Sequence, residues 1–177
     1  MSTPPLRLFF ALPCPEEIRA PLAAWRDGLV IDGQPVAAAN LHLTLAFLGS
    51  VPRARKAELL ALGASLPRTP FELLLDRLER WRNGILHLAP TTIPPALPSL
   101  VQALQDALQV SGFELERRPF RPHLTLARHC RHAPDAEAQF AWPARELVLY
   151  SSENGPHGVH YRAIGRWPLD GERPLSD

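Results

Sequence analysis

The spacing of apolar and polar residues along the chain switches repeatedly between the period typical of strands and the period typical of helices. Short apolar runs bounded by Pro, Gly or Asn predict β-strands at residues 6–12, 41–48, 71–78, 85–88, 123–127, 146–150 and 159–164. Apolar residues three and four positions apart predict helices that start at Pro15, Arg53 and Pro94. Strands and helices in this order, joined partly by hairpins, indicate an α+β protein with antiparallel sheets.

Turn signals separate these elements. Asn83-Gly84 predicts a tight hairpin turn between two of the strands, and a Gly-rich stretch at residues 151–158 predicts the turn of a closing hairpin. A polar stretch from Arg128 to Gln139 predicts a loop. We therefore expect the chain to form one domain, residues 1–177, of two small lobes that share a core.

The charge balance of the sequence argues against one class of protein, the non-specific binders of long nucleic acid. Nineteen Lys and Arg residues against eighteen Asp and Glu give a formal charge of +1, so the chain lacks the positive field of proteins that grip long nucleic acid non-specifically. Any RNA contact should be local and short. Lys56 is the single lysine, and arginine suits phosphate oxygens, although high genomic G+C content gives the same bias.

The expected location is the cytoplasm. Cys14 and Cys130 are too few for a disulfide framework, which fits a reducing compartment. The N-terminal apolar run is interrupted by Arg7 and followed at once by acidic residues, unlike a signal peptide. No segment has the length of a membrane span, so no membrane association is expected.

One tetrapeptide, His-Leu-Thr-Leu, occurs twice, at residues 42–45 and 123–126. Because successive side chains of a strand point to opposite faces, each His shares a face with its Thr, and the leucines occupy the other. The pairs are His42 with Thr44, and His123 with Thr125. Two such strands on either side of a cleft would bring two imidazoles and two hydroxyls together.

This set of groups suits displacement at phosphorus. One histidine can accept a proton from the attacking oxygen while the other donates one to the departing oxygen. Each threonine hydroxyl can donate to a non-bridging oxygen whose charge grows in the transition state. The chemistry needs no metal and no cofactor. A single His-x-Thr would more simply be a histidine held by a neighbouring hydroxyl, but the duplication favours catalysis.

The paired motifs resemble those of the two-histidine (2H) phosphoesterase superfamily. Further stretches are similar to the bacterial RNA 2',3'-cyclic phosphodiesterase family, also called the 2'-5' RNA ligase family; they lie at residues 7–12, 40–49, 119–128 and 149–152. The resemblance covers nearly the whole chain. It implies a bilobal, pseudo-twofold fold in which two antiparallel sheets surround a central groove and helices pack outside.

The resemblance also implies roles for the two histidines. His42 would donate a proton and His123 would accept one from water, so that a 2',3'-cyclic phosphate end of RNA opens to a 2'-phosphate. Joining of RNA through a 2'-5' linkage would occur when a 5'-hydroxyl replaces water, with hydrolysis as the main activity. The partner would be RNA with a cyclic phosphate end, such as tRNA halves or short oligonucleotides, and no protein partner is implied.

Two arginines are candidates for phosphate or RNA binding. The family carries an arginine at the position of Arg128, but strand parity puts Arg128 on the face opposite His123 unless the chain turns first. Arg121 shares the face of His123 by parity; a solvated arginine at the groove rim is the alternative. By the same parity, Asn40 either orients the ring of His42 or bounds the strand.

Other chemistry-bearing residues are given structural roles. The segment His129-Cys130-Arg131-His132 lacks the spacing of a zinc site. His157 and His160 are expected to be exposed, and His87 to be packed or at the surface. The four tryptophans are expected in the core rather than stacked on RNA bases. Two functional alternatives stay open: a module that binds an RNA end without turnover, and a 2H phosphoesterase with another cyclic-phosphate or 2'-5' linked substrate.

Overall fold

A computed structural model of the protein describes residues 3–171. Within this range the chain forms nine strands, three α-helices and two short 3-10 helices. The strands are β1 (Leu6–Pro13), β2 (Gln34–Pro35), β3 (His42–Val51), β4 (Phe71–Arg80), β5 (Leu86–Pro90), β6 (Leu124–Arg128), β7 (Phe140–Ala144), β8 (Glu146–Gly155) and β9 (Gly158–Pro168). The α-helices are α1 (Glu16–Asp27), α2 (Lys56–Ala64) and α3 (Ala96–Val110), and the 3-10 helices are Ala38–Asn40 and Arg53–Arg55.

The strands form two sheets in which every pairing is antiparallel. One sheet has the order β3-β1-β8-β9, and the other has the order β2-β6-β5-β4-β7. Helix α1 packs against β7 of the second sheet, and α2 packs against β8 and β9 of the first. The predicted α+β class with two antiparallel sheets is therefore confirmed.

The two sheets have matching strand orders. In each sheet a strand that carries one tetrapeptide lies beside an earlier strand: β3 lies beside β1, and β6 lies beside β5. In the first sheet β1 is followed in space by β8 and β9, and in the second sheet β5 is followed in the same way by β4 and β7. Each sheet therefore contains strands from both halves of the chain. Only the two-residue β2 at the edge of the second sheet breaks the match. The two tetrapeptides consequently occupy equivalent positions in an approximate twofold arrangement.

Side chains from both sheets and from α3 form one main hydrophobic core. It includes Phe10 from β1, Leu73 from β4 and Leu104 from α3, all fully buried. The motif leucines Leu43 and Leu124 belong to the same core and are also fully buried. Because burial of a leucine side chain stabilises a fold by roughly 1.5–3 kcal/mol, these residues fix the two motif strands in place.

All seven predicted strands exist, with shifted ends, but two further strands were missed. Strand β7 contains Pro143 and lies at the edge of its sheet, where a residue without an N–H group is tolerated. Strand β2 has only two residues, too few for any periodicity. The interpretation of residues 128–139 as a loop holds up to the start of β7, apart from Arg128, which is the last residue of β6.

The prediction of an eight-residue turn at residues 151–158 is wrong. Strands β8 and β9 stay paired out to Gly155 and Gly158, so only Pro156 and His157 connect them. The outer part of this hairpin is mostly polar and exposed, which hides the strand pattern from a search for apolar runs. His157 and His160 are exposed, as predicted.

The helices also begin later than predicted. The segment from Arg53 opens as a 3-10 turn before α2 begins at Lys56, and α3 begins at Ala96 rather than at Pro94. Among the described residues, no helix combines the length and the apolar character that crossing a membrane requires.

Candidate active site

Strand β3 presents His42 and Thr44 on one face and its leucines on the other. Leu43 and Leu45 are buried in the core, whereas the two polar residues are only partly buried. Strand β6 repeats the pattern with buried Leu124 and Leu126 and partly buried Thr125. His123 precedes β6 by one residue, a small correction to the predicted strand boundary.

Hydrogen bonds fix the ring of His42 at both nitrogens. Nδ1 lies 2.6 Å from the carbonyl oxygen of Asn40, and Nε2 lies 2.8 Å from Oγ1 of Thr44. Because a carbonyl can only accept, the proton of the neutral ring sits on Nδ1, and Nε2 accepts from the threonine hydroxyl. Asn40 thus orients the ring through its backbone, while its side-chain Nδ2 donates to the carbonyl of Val159 at 2.9 Å.

The ring of His123 is held in the same way. Its Nδ1 donates to the carbonyl oxygen of Arg121 at 2.8 Å, again two residues earlier in the chain. Nε2 is therefore the nitrogen left for chemistry on both histidines. The hydroxyl of Thr125 makes no hydrogen bond with another residue of the described range 3–171, so it is available to a ligand.

The aromatic surroundings of the two histidines differ. The ring of His42 lies 5.0 Å from Phe9 and 5.1 Å from Tyr161, measured between centroids, and it meets Tyr161 edge to face. The ring of His123 lies 4.5 Å from Trp81 and 5.6 Å from His87. Phe9 and His87 come from β1 and β5, which are equivalent strands of the two sheets. The twofold arrangement therefore places the histidines alike but gives them chemically different neighbours.

Two of these neighbours were given structural roles from the sequence. His87 is 1% exposed and its ring packs at a tilt against that of Trp81, with 4.1 Å between the centroids, so it is a packed histidine in contact with the site. Trp142 and Trp167 are buried in the core as predicted, but Trp81 departs from that prediction because it lines the groove. The tight turn after Trp81 is the only local signal that could have placed it at an edge.

Arg128 lies on the same face of β6 as Thr125, although strict alternation from His123 would put it on the opposite face. The β5–β6 ladder pairs His87 with Thr125 and Leu86 with Ala127, so β6 has one additional residue at this point. The resulting bulge buries both Leu126 and Ala127 and leaves Arg128 exposed. The positive charge of Arg128 lowers the pKa of both His42 and His123, which shows that its guanidinium lies near both rings.

Burial is the largest influence on the pKa of each histidine, and it lowers both values. It lowers the pKa of His42 from 6.5 to about 4; the carbonyl of Asn40 opposes this shift, and the charges of Arg128 and His123 reinforce it. Burial also lowers the pKa of His123, with the same opposition from the carbonyl of Arg121 and reinforcement from Arg128. Both rings are neutral in the free protein at neutral pH. A bound anion would raise both pKa values.

A groove of about 480 Å³ opens beside the pair. Its lining includes Thr44, His123 and Arg121, and it continues along the β4–β5 turn and the segment before β6. Arg121 therefore contributes its carbonyl to His123 and its exposed side chain to the groove wall.

The described residues include no cluster of three or more His, Cys, Asp or Glu side chains able to hold a metal ion. Within the segment 129–132, His132 pairs with Asp32 at 3.1 Å and Cys130 is buried. His129 adopts a left-handed backbone conformation that turns the chain after β6.

Comparison with known proteins identifies the family. The model of the LigT-like phosphoesterases matches the chain twice, at residues 12–87 and at residues 88–161. The chain belongs to the LigT-like phosphoesterase family. Each match contains one His-Leu-Thr-Leu tetrapeptide, so the two matched halves of the chain contribute one motif each.

Individual LigT-like relatives are similar over most of their length. The RNA 2',3'-cyclic phosphodiesterase of Escherichia coli is 36% identical over 93% of this chain and 97% of its own. The Thermus thermophilus enzyme of the same name is 32% identical over 94% and 92%. The crystal structure of E. coli LigT complexed with 3'-AMP has a TM-score of 0.83 and 35% identity, and covers 94% of this chain and 99% of that one.

Proposed function

We propose that the protein is an RNA 2',3'-cyclic phosphodiesterase that opens cyclic phosphate ends to 2'-phosphates by two-histidine acid–base catalysis. The observation that carries this proposal is the matched geometry of His42 and His123, each tied through Nδ1 to a carbonyl and each followed by a threonine on the same face. The names of the E. coli and T. thermophilus relatives support the substrate class.

In the proposed reaction, Nε2 of His123 accepts a proton from water as that water attacks phosphorus. The bond from phosphorus to O3' breaks, and O3' takes a proton from Nε2 of His42. The product carries a 2'-phosphate and a free 3'-hydroxyl. The family resemblance supports this division of roles; the equivalent positions of the two histidines allow either direction.

The threonines and Arg128 complete the site. Thr125 and Thr44 donate hydrogen bonds to non-bridging oxygens of the phosphate, and Arg128 balances its negative charge. Thr44 is coupled to His42: Oγ1 donates to Nε2 of the neutral ring, and once Nε2 carries the proton destined for O3' it can no longer accept, which frees the hydroxyl proton of Thr44 for the phosphate. Arg121 stands at the rim and contacts RNA.

A 5'-hydroxyl in the position of the attacking water would give a 2'-5' phosphodiester with the same bond broken and the same proton transfers. We propose hydrolysis as the main activity and this ligation as a minor, reversible one. The substrates would be RNA ends with a cyclic phosphate, such as tRNA halves or short oligonucleotides. We propose that the protein acts in the cytoplasm, which the two unpaired buried cysteines, Cys14 and Cys130, support. The main core shared by both sheets supports one domain of two lobes.

Product analysis tests this function against its alternatives. A purified sample in excess chelator should convert a dinucleotide with a 2',3'-cyclic phosphate end to the 2'-phosphate alone. Tight binding without turnover would support the binding-module alternative instead. Turnover of a different cyclic or 2'-5' linked substrate in a panel, with this one untouched, would support another 2H phosphoesterase activity.

The pH dependence follows from the histidine pKa values. In the free enzyme both values are lowered, that of His42 to about 4, so kcat/KM should peak below the ordinary histidine pKa of 6.5. A bound phosphate anion stabilises the imidazolium form and raises both values, so the kcat profile should lie at higher pH. Rates measured across pH at low and saturating substrate check this. Coincident or flat profiles would contradict it.

A further inference from the structure

The groove extends well beyond the reacting groups. From Thr44 and His123 it runs between β3, the β4–β5 turn and the segment that leads into β6. Its lining also includes Arg82, Arg118 and Phe120, together with Trp81, whose ring centroid lies 4.5 Å from that of His123. A volume of about 480 Å³ is in the range of small-ligand pockets. The site therefore has space on one side for more than the phosphate that reacts.

Two unpaired arginines lie along this extension. Arg82 and Arg118 are exposed, and neither guanidinium makes a hydrogen bond or ion pair within residues 3–171. Some surface arginines elsewhere are paired, for example Arg77 with Glu79 and Arg166 with Glu146, whereas Arg117 beside the groove is also exposed and unpaired within residues 3–171. Since the formal charge of the chain is only +1, the excess of positive charge in this lining, where Arg82, Arg118 and Arg121 stand against Glu116, is local to the groove.

We propose that Arg82 and Arg118 bind backbone phosphates of the nucleotides that precede the cyclic end, so that the groove is a subsite for the body of the RNA. This inference rests on the proposed function. The occupant is the substrate strand itself because the extension is continuous with Thr44 and His123 and carries the opposite charge to RNA. Trp81 and Phe120 offer ring surfaces beside these charges for an unpaired base.

A cyclic mononucleotide has no further phosphate and cannot reach these arginines. The proposal therefore predicts that the two arginines act on oligonucleotides far more than on mononucleotides. Each phosphate contact on a single strand contributes about 0.7 to the slope of log affinity against log salt. Loss of one arginine should make the salt dependence for an oligonucleotide shallower by about that amount.

The test measures kcat/KM for a 2',3'-cyclic mononucleotide and for a trinucleotide with the same cyclic end. In Arg82→Gln and Arg118→Gln, the preference for the trinucleotide should fall by about 3- to 10-fold each, with the shallower salt slope. Arg117→Gln is the matched control, because Arg117 is an exposed neighbour that does not line the groove. It should leave the preference unchanged.

Three outcomes would overturn the subsite. These are equal losses on both substrates, an equal loss in Arg117→Gln, or an unchanged preference in both groove variants. Failure of the proposed function would look different, since the wild-type protein would then hydrolyse neither substrate. In that case, anisotropy of a labelled trinucleotide carrying a 2'-phosphate still tests the subsite: unchanged binding in both groove variants would overturn it.

Discussion

Removing either histidine should nearly abolish hydrolysis of a cyclic phosphate end. His42→Ala and His123→Ala are each expected to lower kcat by about 10²- to 10⁴-fold, the usual contribution of a positioned general acid or base. The double variant should be little worse than either single variant because the two groups act in one transition state. Steady-state rates on a cyclic phosphate dinucleotide check this.

His157→Ala is the matched control, since that imidazole is exposed in the turn between β8 and β9. Its rate should equal that of the wild-type protein. Circular dichroism and thermal unfolding should show all three single variants folded. A rate for His42→Ala or His123→Ala within a few-fold of the control would contradict catalysis by the pair.

The threonine hydroxyls should have the next largest effect. Thr125→Val keeps the shape and strand preference of the side chain but removes the donor, and should lower kcat by about 10²- to 10³-fold, as for a lost oxyanion donor. Thr44→Val should lower kcat by at least as much, because Thr44 also bonds Nε2 of His42 at 2.8 Å. Steady-state kinetics measure both, with Thr92→Val, exposed and outside the site, as the control.

The two variants should differ in pH dependence. Loss of the Thr44 hydroxyl removes a partner of the His42 ring and should move the limb of the rate profile that reports His42. Loss of the Thr125 hydroxyl, which has no bond to either ring among residues 3–171, should lower the profile without moving it. Identical profiles for the two variants would count against the coupling of Thr44 to His42.

The local pattern of the sequence was enough to place the motif residues on their strands. Alternation along residues 42–45 correctly put the leucines in the core and the His and Thr side chains together, because strand geometry is a local property. The repeat predicted two motif strands on either side of a cleft, and the family resemblance implied the twofold arrangement of two sheets. The order of strands within each sheet depends on contacts between distant residues, and no local pattern reports it.

The sequence could not show where the regular geometry is interrupted. A single additional residue in β6 reverses the parity on which the placement of Arg128 depended. His87 meets His123 through the pairing of β5 with β6, and Trp81 meets it from the β4–β5 turn, so neither contact follows from sequence spacing. Strand β7 was missed because Pro143 is acceptable only at a sheet edge, which the sequence does not mark.

Replacing O3' of the cyclic phosphate by sulfur tests the division of labour between the histidines most directly. A thiol with a pKa near 8.5 leaves without a proton, whereas a sugar hydroxyl needs one. On this substrate, the measured rate of His42→Ala should recover to within about tenfold of the wild-type rate, because the lost proton donor is no longer required. His123→Ala should stay impaired, since the attacking water still needs its base. Equal impairment of both variants, or recovery of His123→Ala alone, would contradict the account.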